Sequence, residues 1–162
     1  MKPIVTTASK ESPAKQLAGF VARFDPAIAK IARASRAALR TQFPTANELV
    51  YDNYQALAVG YSTTDRVSDC MFSVACMARG VSLSFFYGAT LPDPRKILLG
   101  SGNQNRFVRL ESAAVLDEPD VQALLRAAVK QAQVPLPTTG KGATIIKSVS
   151  AKQMPRRVAV KK

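Results

Sequence analysis

The apolar positions Leu17, Phe20, Val21 and Phe24 recur at helical spacing and predict an amphipathic helix from Pro13 to Phe24. Asp25-Pro26 supplies an N-cap and a proline at the first helical position, so a second helix is expected from there to Gln42, ahead of Pro44. On it Ile28, Ile31, Ser35, Leu39 and Gln42 line one face, while Lys30, Arg33, Arg36 and Arg40 form a basic stripe on the other. The period then becomes extended. Glu48–Asp52 and Ala56–Tyr61 read as strands joined by a turn at Asp52-Asn53, and Thr63-Thr64 makes the next turn. Ser68–Ala78 and Val81–Tyr87 read as a hairpin closed by Arg79-Gly80. That turn pairs Ala78 with Val81, Cys76 with Leu83, Val74 with Phe85 and Phe72 with Tyr87, all on one apolar face. The other face carries Met71, Ser73, Ala75, Met77, Ser82, Ser84 and Phe86 and is expected to stay partly open.

Past Gly88 the segment LPDPRKILLGSG predicts a turn and a short helix from Asp93-Pro94 to Gly100, followed by a strand at Arg106–Glu111. Asp117-Glu118-Pro119 caps a last helix, with Val121, Leu124, Leu125, Ala128, Val129 and Ala132 on one stripe and Pro135 and Pro137 beyond its end. The expected fold is therefore α+β, an antiparallel sheet of about five strands packed by N- and C-terminal helices. Residues 1–12 are expected to be loose, 13–133 to form one domain, and 134–162 to be a basic, largely flexible tail with one short strand at Thr144–Val149.

Charge sharpens this division. Of the net charge of +12, residues 1–43 hold +6 and residues 134–162 hold +7, while the middle is near neutral at −1. Basic flanks favour anionic partners, nucleic acid among them, with Lys30, Arg33, Arg36, Arg40, Lys147, Lys152, Arg156 and Arg157 as the contacts. The chain carries no recognisable motif for reading bases, so such binding would be nonspecific. No apolar run is long enough to span a membrane, and MKPIVTTASKESPAK lacks the apolar centre of a secretory signal, which points to the cytoplasm.

The chain has no histidine, which removes the commonest general base and the histidine-dependent triads. Cys70 and Cys76 share strand parity roughly 20 Å apart, too far for a disulfide, and read as core thiols. GSGN at 100–103 and TGKG at 139–142 lack the P-loop spacing and read as a helix stop and a linker. Glu48, Asp52, Asp65 and Asp69 are oxygen donors at strand ends and turns, the kind a hard cation such as iron uses. Tyr51, Tyr54, Tyr61 and Tyr87 can line a ligand pocket, with Arg66, Arg95 and Arg106 as anion contacts and Asp93 as an internal partner. No nucleophile stands beside a base. The residues point to a non-enzymatic cytoplasmic binding protein for a small ligand or protein, seated on the open sheet face. An iron chaperone and a nucleic-acid accessory protein are the alternatives.

The block LVYDNYQALAVGYS, the hairpin after it and GATLPDPRKILLGSGNQNRFVRL together resemble the YdhG-like bacterial family, a domain of unknown function. The resemblance covers residues 15–133 and is carried by YDNY, the GATLPDP turn and the G-N-Q-x-R stretch. It implies a frataxin-like α+β fold, and for one branch an iron-carrying role that uses an acidic surface on the first helix or strand. Here the matching helix carries Lys30, Arg33, Arg36 and Arg40 instead. The family supplies no catalytic residues.

Overall fold

The computed structural model describes residues 11–159. Helix α1 (Pro13–Ala22) opens where the Ser12 hydroxyl accepts the Lys15 N–H at 3.1 Å, and α2 (Pro26–Gln42) follows after Asp25-Pro26. Four strands come next: β1 (Asn47–Asp52), β2 (Leu57–Ser62), β3 (Cys70–Met77) and β4 (Gly80–Phe85). They precede β5 (Arg106–Leu110), helix α3 (Pro119–Gln131) and β6 (Thr144–Val149). The sheet order is β5-β4-β3-β2-β1-β6. Every pairing is antiparallel except β1 with β6, so the sheet has six strands and is mixed, not five-stranded and antiparallel.

The residues aligned across one face are Glu48, Tyr61, Phe72 and Phe85, then Val50, Val59, Val74, Leu83 and Val108, then Asp52, Leu57, Cys76, Val81 and Leu110. The apolar members of this face make one core with Leu17, Val21 and Phe24 of the α1 region, Ala29, Ala32 and Leu39 of α2, and Val121, Leu124, Leu125 and Ala128 of α3. Phe72 is its aromatic centre, with Phe43, Tyr61 and Phe85 around it at centroid distances of 5.2, 5.8 and 6.3 Å. The opposite face carries half-buried Tyr51, Ala58, Ala75 and Ser84.

The hairpin differs from expectation by one step. Its turn is Ala78-Arg79, so Cys76 faces Val81, Val74 faces Leu83 and Phe72 faces Phe85. Each β3 residue meets a partner two places earlier in β4, which preserves the faces because side-chain parity is unchanged. This register buries Phe85 fully and leaves Tyr87 outside the strand, its hydroxyl donating to the Ser68 carbonyl at 2.7 Å. Met71, expected on the open face, joins the core: Tyr61 pairs with Phe72 and Ser62 with Cys70, so Met71 is the extra residue of a bulge.

The expected helix from Asp93 to Gly100 is absent. The Asp93 carboxylate accepts the N–H groups of Ile97 and Leu98, both at 3.0 Å, rather than pairing an arginine. Leu99 then exchanges two backbone hydrogen bonds with Phe107 on the outer edge of β5. Gly100, at φ 109°, turns the chain after that bridge and ends no helix.

The basic tail is the largest difference from expectation. Beyond Pro135 and Pro137 the chain returns as β6 against β1, and the segment after it packs with Arg156 buried. Gly142 makes the approach: a Cβ there would collide with the Ala46 carbonyl, and its N–H donates to the Pro44 carbonyl at 2.8 Å. TGKG is therefore a docking point rather than a linker. Among the described residues no helix is long and apolar enough to cross a membrane.

Candidate functional site

Strand parity places Glu48 and Asp52 on the helix-covered face, where an unpaired carboxylate would be very costly. Arginines take both. Glu48 is fully buried and accepts from Arg36 Nε at 2.8 Å, Arg36 Nη2 at 2.9 Å, Tyr61 at 3.0 Å, Thr144 at 2.7 Å, and Arg40. Burial alone would raise its carboxyl, but hydrogen bonds from Arg36, Thr144 and Arg40 outweigh that and hold it below the ordinary glutamate value. The same contact raises Arg36, and burial next to this carboxylate pushes the Tyr61 hydroxyl well up. Asp52 accepts from Arg156 at 2.9 Å and Arg23 at 3.4 Å, and Arg156 lies over the Phe24 ring.

Five expected site residues are thereby reassigned. Glu48 and Asp52 are taken up by arginines, Arg156 is buried, and Arg36 and Arg40, 29% and 30% exposed, direct their guanidinium groups onto Glu48. Arg36 and Arg40 sit one position beyond the buried Ser35 and Leu39 on α2, so they flank the core stripe and reach inward. Of the same basic set, Lys30, Arg33, Lys152 and Arg157 remain exposed. Lys147, also exposed, donates to the Asp65 carbonyl at 2.9 Å. Tyr61 belongs to the Glu48 network, Tyr51 lies on the open face, and Tyr54 is exposed at the far end of the sheet. Arg95 is exposed, and Arg106 turns onto the carbonyls of Gly102 and Asn105. These do not converge.

Arg66, Asp69 and Tyr87 do. They line a cavity of about 320 Å³ at the end of the sheet where β2 and β4 finish and β3 begins. Thr63, Ser68, Cys70, Met71 and Thr90 line it as well, and the last turn of α3 closes it with Ala128, Gln131, Ala132 and Gln133. The Ser62–Asp69 loop is tightly bonded. Ser62 donates to the Arg66 carbonyl at 3.0 Å and accepts the Thr64 N–H at 3.2 Å, and Asn47 holds the Thr64 carbonyl at 2.9 Å. Thr64 donates to Asp69 at 2.7 Å, and Arg66 Nε stands 3.6 Å from the same carboxylate. On the opposite wall Gln131 donates to the Tyr87 carbonyl at 3.1 Å and accepts from Thr90 at 3.1 Å. This loop is preorganised by its own polar side chains.

Two features set the cavity apart. Thr63 is 5% exposed, and its hydroxyl has no hydrogen-bond partner among the described residues. Buried hydroxyls are normally paired; Ser35 on the core side of α2 carries another unpaired one, and Thr63 is the one of the two that lines this cavity. Its neighbours are also unequal in charge: Asp69 and the carbonyl end of α3 face inward, and Arg66, with its side chain 73% exposed, stands at the rim. Burial pushes the Cys70 thiol up to about 12, away from the thiolate form, and does the same to Cys76. No group of three or more Cys, Asp and Glu able to hold a metal comes together among the described residues.

The sequence reading placed Arg66 and Tyr87 in one candidate ligand pocket but gave Asp69 to a metal set, and it missed Thr63, Met71 and the end of α3. The signal available was the dense run of turn formers from Ser62 to Asp69, of which only Thr63-Thr64 is read as a turn. Compared with protein-family models, with curated proteins and with solved structures, the chain matches none.

Proposed function

We propose that this chain is a non-enzymatic binding protein whose ligand seat is the cavity between the Ser62–Asp69 loop and the last turn of α3. The unpaired, buried Thr63 hydroxyl carries this reading. A binding protein that keeps such a group unsatisfied without a ligand accepts a cost in stability that the bound ligand relieves. The cavity, at about 320 Å³, falls at the small end of the range of ligand pockets and mixes apolar walls with a few fixed polar groups. The seat thus moves from the open sheet face to the end of the sheet. The YdhG-like resemblance fits this reading, with α1 and α2 before the sheet and α3 near its end. Its iron-carrying branch has less to draw on, because Glu48 and Asp52 are held by arginines.

The test is a titration of isotope-labelled protein with a library of small polar molecules, followed by NMR. Signals of Thr63, Met71, Ala128 and Ala132 are expected to move together, and Ala132→Phe, which fills the cavity, is expected to abolish the response. Shifts scattered over the surface, or a response indifferent to Ala132→Phe, would contradict the proposal.

A further inference from the structure

We infer that the cavity takes a free α-amino acid, its ammonium inside against Asp69 and Thr63 and its carboxylate at the rim on Arg66. This rests on the cavity being the ligand seat. The inner polar groups are acceptors. The Asp69 side chain is only 10% exposed; its Oδ2 is engaged by Thr64 and approached by Arg66, and no donor among the described residues bonds to Oδ1. The last turn of α3 brings the negative end of a helix to the same space through Ala128, Gln131 and Ala132. The Thr63 hydroxyl can accept as well as donate, and no described residue bonds to it. A group with several donors, no acceptor and a positive charge completes this set, and an ammonium is such a group. An anion placed there would face both Asp69 and the helix end.

The rim has the opposite character. The Arg66 guanidinium touches only Ser68 Oγ at 3.3 Å and the Asp69 carboxylate at 3.6 Å, so most of its donor fork is free. That fork matches a carboxylate. Met71, Ala128 and Ala132 line the same cavity beside this Arg66–Asp69 pair, an apolar wall for a short side chain. Another cation beside the loop, Lys147, is tied to the Asp65 carbonyl at 2.9 Å and does not line the cavity. A carboxylate with one unbonded oxygen, an adjoining guanidinium with free donors and a cavity this small together select an amino-acid-sized zwitterion.

The experiment is calorimetric titration of the full chain with the common amino acids, with the amines that lack their carboxylate, and with the carboxylic acids that lack their amine. At least one amino acid is expected to bind. Asp69→Asn, which keeps an acceptor for Thr64, is expected to weaken it about 10- to 100-fold, the worth of one charge-assisted hydrogen bond. Arg66→Gln is expected to weaken the amino acid but leave the matching amine unchanged. Carboxylic acids that bind as tightly as amino acids, or binding that survives Asp69→Asn, would overturn the inference. The Met71 methyl signal separates the two levels. If neutral polar fragments shift it while no amino acid does, the cavity stands as a ligand seat and the amino-acid assignment fails. If nothing shifts it, both fail.

Discussion

Arg156 donates to Asp52 at 2.9 Å with both side chains closed to solvent, 3% and 1% exposed, and this pair ties the end of the chain to the first strand. Arg156 also donates to the carbonyls of Asn53 at 2.6 Å and Tyr54 at 3.5 Å, and its guanidinium lies 5.6 Å from the Phe24 ring. Removing Asp52 leaves Arg156 buried without an ion partner, and removing Arg156 leaves Asp52 with only the half-exposed Arg23 at 3.4 Å, each at a cost of up to about 3–5 kcal/mol. Arg156→Met and Asp52→Asn are each expected to lower unfolding free energy by that order in urea denaturation. The double variant should lose less than the two together. Strictly additive losses would show that the two residues do not depend on each other.

Glu48 gives the fold an acid limit. Its folded carboxyl titrates below the ordinary value of 4.5, so the unfolded chain takes up the proton first as pH falls. The stabilisation is therefore complete above about pH 4.5 and is lost as pH drops through the lower, folded value. Melting temperature followed from about pH 7 to about pH 3 should fall steeply at the acid end in the native protein. Glu48→Gln should be less stable at neutral pH and show a flatter acid limb. An acid limb unchanged by the substitution would place the sensitivity elsewhere.

Gly142 decides whether β6 docks. A Cβ at this position meets the Ala46 carbonyl, which belongs to rigid backbone just before β1. Gly142→Ala is expected to loosen residues 142–149, seen as faster amide exchange in β6 with β2 to β4 still protected. Gly140→Ala meets no neighbouring atom, and its cost is confined to the strain of its φ of 90°. Equal effects on β6 exchange from both variants would remove close approach as the reason for glycine at 142.

The strands and the three main helices could be read from periodicity because each buries an apolar stripe, and parity alone was enough to keep the hairpin faces right. Charge was the misleading signal. Glu48 and Asp52 alternate in phase with Val50, so the pattern of β1 already put them on the core face, and their acidity argued for the surface. Their partners lie far away in sequence: Arg36 and Arg40 in α2, Thr144 and Arg156 in the tail. A basic tail with few large apolar residues looks unable to fold by itself, and it folds here by pairing β6 with β1, donating Thr144 to Glu48 and neutralising the buried Asp52 with Arg156. The cavity was illegible for a related reason. It is assembled from the ends of three strands, a loop and a helix terminus, and the feature that argues for a ligand there is a hydrogen bond that Thr63 does not make.

Thermal unfolding of Thr63→Val is the most direct measurement of whether this cavity is built to be filled. Valine keeps the shape of threonine and removes the unpaired hydroxyl. Without ligand, the variant should be as stable as the native protein or more stable by about 1 kcal/mol, because a buried unsatisfied group is gone. It should also lose most of the rise in melting temperature that binding molecules from the small-molecule library give the native protein. That exchange of binding for stability is the signature of a group kept for a ligand. A variant that is clearly destabilised, yet responds fully to the same molecules, would show that the hydroxyl serves the fold and that the ligand seat lies elsewhere.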